Sequence, residues 1–259
     1  MLPYTTDLPK CMLPVNGRPL LAYAIERLRA AGCSRVVVIT GHLADRVEAR
    51  DCLLVHNAAY KSNNILHSLM YAQDYFDDDV LVSYSDILVE PEIYQQLVAM
   101  QGDIVLTVDV DWRGYYVGRL GHPVSEAEKA IVRQNGHSHG VLEAIGKHIP
   151  DEATGDQQCC EFTGFWKMSR AGAREFRAGF EALDSALDDA APFGQAPEWR
   201  RAYVTDLLGH FLDEGTPIDC LLVHKGWAEL DAVHDYRRLP TMLETQRLDS
   251  LLEPREQRP

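Results

Sequence analysis

Short apolar runs alternate with amphipathic stretches over the first 110 residues of the chain. Residues 35–40 form a continuous β-branched run, which is typical of a strand covered on both faces. The other strands predicted here are residues 52–55, 80–84 and 104–108. Between the strands, apolar residues recur at helical spacing over residues 18–31, 63–75 and 92–100. We therefore predict a doubly wound α/β fold with a mostly parallel sheet.

The pattern changes after residue 110. Residues 111–168 contain short strand-like pieces separated by glycine- and histidine-rich turns, and we predict a small antiparallel insert over the sheet. Helices and one strand, at residues 218–223, follow over residues 169–252 and complete a single domain of residues 1–252. Residues 253–259 are predicted to form a frayed tail.

Composition limits the classes of function. The 259 residues, of which 46% are hydrophobic, suffice for one domain with a sizeable core. A formal net charge of −14 argues against nucleic-acid binding, which requires a basic face. We find no apolar run of about 20 residues and no secretory signal, so we expect no membrane association. The six cysteines form no CxxC pair, which favours a reducing compartment, and we expect a cytoplasmic protein.

Residues 7–21, DLPKCMLPVNGRPLL, place Lys10 between Pro9 and Pro14 on an irregular segment just before a helix. A lysine held there is a point charge suited to a phosphate, although a surface lysine on a proline-rich loop looks the same. The segment resembles one found in nucleotidyltransferases that make CDP- or NDP-activated alcohols and sugars. This resemblance, which extends from Thr5 to about Leu239, implies a Rossmann-like nucleotidyltransferase fold and a catalytic Lys10 beside a nucleoside triphosphate.

In that family a strand and a glycine-rich, phosphate-cradling loop come immediately before the lysine segment. Only six residues precede Asp7 here, so the resemblance implies that this chain lacks the strand and the loop. We expect the sheet to have a gap between strands, with exposed edges. A misassigned start codon and a truncated homologue are both open as explanations.

Two acidic residues are candidate metal ligands. Asp86 follows a predicted strand, and ligands of open α/β sheets bind beyond the carboxyl ends of strands, although a loop or capping aspartate is the alternative. The segment SDIL around Asp86 and the segment WAELD, which ends at Asp231, resemble the two metal segments of the same nucleotidyltransferases. The resemblance implies that Asp86 and Asp231 hold Mg²⁺ against the phosphates, with Ser85 at the nucleotide and Asp235 as a helix cap.

The segment SNNILHSL at residues 62–69 indicates which nucleotide is used. It resembles the phosphocholine cytidylyltransferase-like branch of the family, and we find no QPxGTA segment of the kind that sugar-1-phosphate members carry. Asn63 or Asn64 would then offer an amide to a pyrimidine or a ribose. Capping of the following helix is the alternative role for Asn63.

The acceptor is expected to bind in the insert. Segments that resemble those of phosphocholine cytidylyltransferase-like proteins and partners of phosphonate biosynthesis, SEAEK at residues 125–129 among them, run from Asp109 to Phe165. We predict that Lys147 contacts the acceptor phosphate and that aromatic residues wall a pocket for a choline-type cation. An ordinary aromatic core under the insert is the alternative. The predicted acceptor-binding residues are Trp112, Tyr116, Lys147, Glu161, Trp166 and Asp206.

The sequence thus predicts a CTP-dependent cytidylyltransferase that transfers CMP to a small phosphorylated or phosphonate alcohol or amine and releases pyrophosphate. The expected ligands are CTP, Mg²⁺ and the acceptor, and a homodimer is left open. Phosphocholine, phosphoethanolamine, an aminoalkylphosphonate, phosphoglutamine and a phosphorylated polyol all remain open as acceptors. A sugar-1-phosphate nucleotidylyltransferase and a truncated, non-catalytic homologue are the alternative functions.

Overall fold

The computed structural model describes residues 1–117, 119 and 122–245. The strands are β1 (Pro14–Val15), β2 (Arg18–Pro19), β3 (Val37–Thr40), β4 (Leu53–His56), β5 (Val80–Ser83), β6 (Ile87–Val89), β7 (Ile104–Asp109), β8 (Lys129–Gln134), β9 (His139–Gly146), β10 (Gln157–Met168), β11 (Asp219–Val223) and β12 (Trp227–Glu229). The helices are α1 (Leu20–Ala30), α2 (Ile65–Met70), α3 (Pro91–Ala99), α4 (Arg113–Tyr116), α5 (Arg170–Ala186), α6 (Val204–Asp213) and α7 (Val233–Thr245). Short 3-10 turns lie at Lys10–Met12, Ala44–Arg46, Gln73–Tyr75, Val124–Glu126 and Trp199–Arg201.

The main sheet has six strands in the order β5-β10-β7-β11-β9-β8. β10 also pairs with β8, so five of these strands close into a ring. β7 and β11 run parallel, as do β3 and β4 in a separate pair, whereas the other neighbours in the main sheet are antiparallel. The α/β alternation agrees with the prediction, but the expected mostly parallel arrangement is corrected to a mixed one. The cause is β10, because this strand of 12 residues leaves the predicted insert and enters the sheet antiparallel to β5 and β7.

The strands of the predicted insert are antiparallel to one another, as expected, but they do not form a layer over the sheet. β8 pairs with β9 and with the first half of β10. The second half of β10 pairs with β5 and β7, which belong to the predicted nucleotide-binding part. The two parts therefore share one sheet, and the division at residues 110 and 168 stays a prediction.

A bulge interrupts the pairing of β10 with β7. The register shifts between Phe162 and Trp166, and Gly164 has a φ of +74°, a left-handed conformation that favours glycine. A Cβ atom on Gly164 would collide with the ring of Tyr84, whose N–H donates to the Gly164 carbonyl at 3.0 Å. The bulge therefore determines where the Tyr84 ring lies.

The two faces of β10 pack against different cores. Trp166 joins a large cluster that includes Phe176 of α5 and Leu207 of α6. Phe165 packs on the opposite face, where its ring centre lies 4.3 Å from that of Tyr94 in α3. Successive residues of a strand point to opposite faces, so this one strand supplies both cores. Truncating a buried aromatic side chain such as Trp166 to alanine typically costs about 3–5 kcal/mol of stability.

A gap separates β3 from β5. In the part of the chain that the structure describes, β3 pairs with β4 and β5 pairs with β10, and no backbone pairing joins β3 to β5. A cavity of about 640 Å³ lies between them, and its wall includes Leu21 of α1, Val38 of β3 and Leu81 of β5. β3 and β5 therefore face this cavity and do not pair with each other.

The helices agree with the predicted positions better than with the predicted lengths. α1 begins at Leu20 because Pro19, in an extended conformation, is its N-cap. The helix predicted over residues 63–75 is the six-residue α2, followed by the turn Gln73–Tyr75. Within the described residues, no helix combines the length and the apolar character needed to cross a membrane. The predicted tail of residues 253–259 and the segment 246–252 lie outside the described residues.

Candidate functional site

Lys10 lies between two carboxylates that come from distant parts of the chain. Its Nζ atom is 2.7 Å from Asp86 Oδ2 and 2.5 Å from Asp231 Oδ1. β6 and β12 bring the two aspartates together, because these strands pair antiparallel and the Leu230 N–H donates to the Asp86 carbonyl at 2.9 Å. The three residues that the sequence predicts to act together are therefore in direct contact.

Two further side chains complete this acidic cluster. His122 Nδ1 lies 2.6 Å from Asp231 Oδ2. Ligand atoms of His122, Glu229 and Asp231 all lie within 4.8 Å of one another, which is close enough to share one cation. Carboxylate oxygens with one imidazole nitrogen are a donor set that suits a divalent metal ion. His122, Glu229 and Asp231 therefore fit a divalent metal, and Asp231 is the one of these three that the family resemblance names as a ligand.

Opposite charges in this cluster stabilise one another. Burial disfavours the charged form of Lys10, but the adjacent Asp86 and Asp231 carboxylates outweigh it and raise the pKa of Lys10 above its ordinary value. The hydrogen bond with His122 and the charge of Lys10 hold the pKa of Asp231 well below its ordinary range, although burial opposes this. Lys10 and Asp231 are therefore both charged at neutral pH.

A buried arginine fixes the β12 side of the cluster. The Arg119 guanidinium donates to both carboxylate oxygens of Asp235, at 2.9 and 3.0 Å, and to Glu229 at 2.9 Å. Asp235 also accepts the N–H groups of Asp231 and Ala232, at 3.1 and 2.8 Å, just before α7. Asp235 thus caps this helix, as the resemblance implies, and Arg119 ties Glu229 to the same end of α7.

A cavity of about 280 Å³ extends from Asp86 and Asp231 to Lys147. The Lys147 Nζ atom lies 3.3 Å from Glu126 Oε2 and 4.5 Å from the ring centre of Tyr203. The cavity wall therefore contains a positively charged residue, Lys147, as well as the negatively charged aspartates. A phosphorylated molecule in this cavity would meet a lysine and the Asp86–Asp231 pair in one enclosed volume.

Two more carboxyl groups, those of Glu128 and Glu161, line the cavity. The Tyr84 hydroxyl donates to Glu128 Oε2 at 3.3 Å, and the Tyr116 hydroxyl donates to Glu161 Oε1. Burial raises the pKa of Glu128 to about 7 and the pKa of Glu161 to about 8, because it disfavours the ionised carboxylates. Both groups therefore titrate near neutral pH.

Several predicted site residues lie together in this cavity. Those that line it are Asn64, Ser85, Asp86, Lys147, Glu161 and Asp231. Lys10 reaches the same volume through its contacts with the two aspartates, and Tyr116 reaches it through its hydrogen bond to Glu161. Members of each predicted set, catalytic, metal, nucleotide and acceptor, thus meet at one place in the fold.

The tryptophans predicted to wall the acceptor pocket belong to the core instead. Trp112 and Trp166 are fully buried, and neither lines the cavity. Trp112 Nε1 donates to the Cys159 carbonyl at 3.0 Å, and Trp166 packs between the sheet and α5. The alternative of an ordinary aromatic core is correct for both, because their large apolar rings fill the space beside β10.

Asp206 and Asn63 also have structural partners. The Asp206 carboxylate accepts the N–H groups of Gln195 at 2.7 Å and Tyr203 at 2.8 Å, so it caps α6. The Asn63 amide exchanges hydrogen bonds of 2.9 and 3.1 Å with the amide of Asn57. Neither side chain lines the cavity, and the acceptor role predicted for Asp206 and the nucleotide role predicted for Asn63 do not fit these placements.

The sequence analysis missed several residues of the site. Glu128 lies in the SEAEK segment and Glu229 in the WAELD segment, so the resemblance covered both residues without assigning either a role. His122 comes just before Pro123 outside any predicted element, and its neighbours in sequence carry no signal of a site. Tyr203, which directly precedes α6, lines the cavity only because of the way the chain folds.

Comparison with known proteins places the chain among nucleotide-transferring enzymes. A family model described as the MobA-like NTP transferase domain matches residues 5–152. The CTP:phosphoglutamine cytidylyltransferase of Campylobacter jejuni subsp. jejuni is 24% identical over 247 residues, which are 91% of this chain and 92% of that protein. The resemblance seen in the motifs thus extends over most of both chains.

Solved structures share the architecture. The CTP:phosphocholine cytidylyltransferase from Streptococcus pneumoniae matches with a TM-score of 0.66 and 17% identity, over 94% of this chain and 93% of that one. UDP-glucose pyrophosphorylase complexed with UDP-glucose matches with a TM-score of 0.68 and 14% identity, over 95% and 94% of the two chains. At these identities the likeness shows the fold alone, and it confirms the predicted α/β nucleotidyltransferase fold.

Proposed function

Since the chain belongs to the MobA-like NTP transferase family, and is thus a nucleotidyltransferase, we propose that it transfers CMP from CTP to a small phosphorylated or phosphonate acceptor. The observation that carries the proposal is the contact of Lys10 with both Asp86 and Asp231 at a cavity that also contains Lys147. In this reaction an acceptor oxygen attacks the α-phosphorus of CTP, and pyrophosphate leaves.

The residues of the site act by position and charge. Asp86 and Asp231 would hold Mg²⁺, which supplies charge neutralisation at the phosphates when it is bound. Lys10 offers its ammonium group to the triphosphate, and Lys147 attracts the phosphate or phosphonate of the acceptor into the cavity. The hydrogen bond from Arg119 holds the Glu229 carboxylate in position. The site thus aligns two anions that would otherwise repel each other.

The choice of CTP is supported by two observations. The relative that matches along nearly the whole chain is described as a CTP:phosphoglutamine cytidylyltransferase. The Ser85 hydroxyl and the Asn64 amide, whose Nδ2 donates to the Arg201 carbonyl at 3.0 Å, both line the cavity that a nucleotide would enter. The likeness to UDP-glucose pyrophosphorylase supports a sugar-1-phosphate nucleotidylyltransferase as the second candidate.

A substrate matrix separates these candidates. The purified protein is given CTP, UTP, dTTP or ATP with Mg²⁺ and, in separate reactions, glucose-1-phosphate, phosphocholine, phosphoethanolamine, 2-aminoethylphosphonate or phosphoglutamine. We expect pyrophosphate release and a CMP-linked product only in the reactions with CTP and a non-sugar acceptor. Turnover of UTP with glucose-1-phosphate would support the sugar reaction, and no product in any reaction would contradict both.

Thermal denaturation gives an independent measurement on the same protein. A ligand that binds only the folded state raises the midpoint of unfolding. We expect CTP with Mg²⁺ to raise it more than UTP with Mg²⁺ at equal concentration. An equal shift by the two nucleotides would contradict the preference for cytosine.

A further inference from the structure

Among the described residues, six carboxyl groups line the cavity, and a cation lies within ion-pair distance of four of them. Lys10 contacts Asp86 and Asp231, Arg119 contacts Glu229, and Lys147 contacts Glu126. The remaining two, Glu128 and Glu161, have no ion-pair partner within 4.0 Å in the part of the chain that the structure describes. Each accepts a hydrogen bond from a tyrosine hydroxyl, a neutral donor that cannot balance a negative charge.

We infer that Glu128 and Glu161 form a subsite for an ammonium group of the acceptor that carries N–H donors, such as a primary amine or an α-amino group. The inference rests on the proposed function, and it names the chemical class of the acceptor. A buried carboxylate without a cation is unfavourable, and an ammonium ion restores both the charge balance and the hydrogen bonds. Such charged hydrogen bonds are the strong ones in proteins.

Glu161 lies on β10, and Glu128 lies directly before β8, the strand that pairs with this part of β10. Glu161 is paired with Lys129 in the β10–β8 ladder, and Glu128 comes immediately before Lys129. The Phe162 N–H donates to the Glu128 carbonyl at 2.7 Å, so the two carboxyl-bearing segments are in direct backbone contact. Glu161 is only 5% exposed. Both residues line the same cavity, so an ammonium group that binds there has both carboxyl groups as acceptors.

A quaternary ammonium ion suits this wall less well. It cannot donate a hydrogen bond, so it would leave the carboxylate oxygens of Glu128 and Glu161 without new partners. Recognition of such ions relies on open aromatic faces, and the two tryptophans that the sequence predicts for that purpose are buried in the core. Of the aromatic residues that line the cavity, Phe162 and Trp227 are at most 5% exposed, the Tyr203 ring is covered by Lys147, and Tyr84 directs its hydroxyl to Glu128. The geometry therefore favours an amine with N–H groups over choline.

Three acceptors of similar size test the subsite: 2-aminoethyl phosphate, 2-hydroxyethyl phosphate and choline phosphate. The kcat/KM for CMP transfer from CTP is measured with each, for the wild type and for Glu128→Gln, Glu161→Gln and Glu143→Gln. Glu143 is a matched control, because it is an exposed glutamate on β9 that pairs with Arg133. Calorimetric titration of each acceptor into the same proteins gives affinities that do not depend on turnover.

We expect the wild type to prefer 2-aminoethyl phosphate. Glu128→Gln and Glu161→Gln should each lower kcat/KM and affinity for this acceptor by about 10- to 100-fold, the usual effect of losing a hydrogen bond to a charged group. Both variants should change the values for 2-hydroxyethyl phosphate by less than about threefold, since that acceptor brings no charge to the subsite. The Glu143→Gln variant should match the wild type throughout.

Other results overturn the inference. Equal use of the amino and hydroxyl acceptors, a preference for choline phosphate, or equal losses for all three acceptors in the glutamine variants would each exclude an N–H ammonium subsite. Failure of the proposed function looks different, because no acceptor would then receive CMP. In that case the titrations still decide, since the subsite requires tighter binding of 2-aminoethyl phosphate that either glutamine variant weakens.

Discussion

The two parts of the cavity wall balance their negative charge in different ways. At the Lys10 end, the carboxylates of Asp86 and Asp231 share one ammonium group, and Glu229 is held by Arg119. At the insert end, Glu161 has only a tyrosine hydroxyl as its hydrogen-bond donor among the described residues. The first set of carboxylates has ion-pair partners within the protein, whereas Glu161 has none within 4.0 Å among the described residues.

This difference separates two kinds of binding site. A cation that enters the Lys10 end must compete with an ammonium group that is already there. A cation that enters the insert end finds two carboxyl groups, Glu128 and Glu161, whose pKa values burial raises to about 7 and about 8, because burial outweighs the opposing charges of Lys147 and Arg119. A ligand cation at the Lys10 end would thus replace the ammonium group of Lys10. A ligand cation at the insert end would add a positive charge beside Glu161.

Replacing Asp231 or Asp86 by asparagine should produce the largest effect. Either change keeps the shape of the side chain, removes one anionic oxygen ligand, and leaves Lys10 with a single carboxylate partner. We expect kcat for pyrophosphate release from CTP to fall by about 10³-fold at saturating Mg²⁺.

Asp78→Asn provides the matched control for these variants. Asp78 is an exposed aspartate paired with Arg170, outside the cavity, and its replacement should leave turnover unchanged. Near-normal pyrophosphate release by Asp86→Asn or Asp231→Asn would exclude the metal assignment and, with it, the contrast between the two ends.

Lys10→Gln tests whether the ammonium group competes with an entering cation. The substitution removes the charge that neutralises Asp86 and Asp231, so these oxygens become freer to bind a divalent ion. We expect affinity for Mn²⁺ in the absence of nucleotide, measured by electron paramagnetic resonance, to rise by about tenfold while turnover falls. Weaker Mn²⁺ binding in this variant would show that Lys10 supports the ion instead of competing with it.

Stability should depend on pH through the insert end. Burial raises the pKa of Glu161 to about 8 from its ordinary value of 4.5, so the folded state binds more protons than the unfolded state between these values. The stabilisation is complete below pH 4.5 and is lost as the pH rises through 8. The free energy of unfolding should therefore fall with rising pH, by up to about 1.4 kcal/mol per pH unit for one carboxyl group.

Chemical denaturation of the ligand-free protein between pH 5 and pH 8.5 measures this slope. Glu161→Gln should flatten it, because the amide does not titrate, and Glu143→Gln should leave it as it is. A steeper fall in the Glu161→Gln variant, or a rise of stability with pH in the wild type, would mean that another group dominates the titration. The outcome shows directly whether the insert end carries uncompensated charge.

The sequence predicts the Lys10 end of the site better than the insert end. Lys10, Asp86 and Asp231 each lie in a short segment whose residues stand in a recognisable order, so their contact follows from the family fold. Glu128 lies in the SEAEK segment, but only the fold shows that its carboxyl group lines the cavity, and His122 lies on a turn that no local pattern specifies. Site residues that lie in recognisable segments can therefore be predicted from the sequence. Site residues that join the cavity only through tertiary packing cannot.

Two limits of pattern reading explain the errors. Trp112 and Trp166 were assigned to a pocket because aromatic residues suit a cationic ligand, but the same residues suit a core, and only packing distinguishes the two. Apolar periodicity identifies the strands of the main sheet at the correct positions. It does not show the direction in which each strand runs, so it cannot distinguish a parallel from a mixed sheet. β10 is the strand on which this matters most.

The glycine bulge in β10 limits how the acceptor wall can change during evolution. The ring of Tyr84 lies against Gly164, so a larger residue at this position must displace the ring and the hydroxyl that reaches Glu128. A slip of β10 by one residue would exchange Phe165 and Trp166 between the two cores. A replacement of Gly164 would therefore disturb the acceptor wall through Tyr84 and Glu128, although Gly164 itself contacts no acceptor.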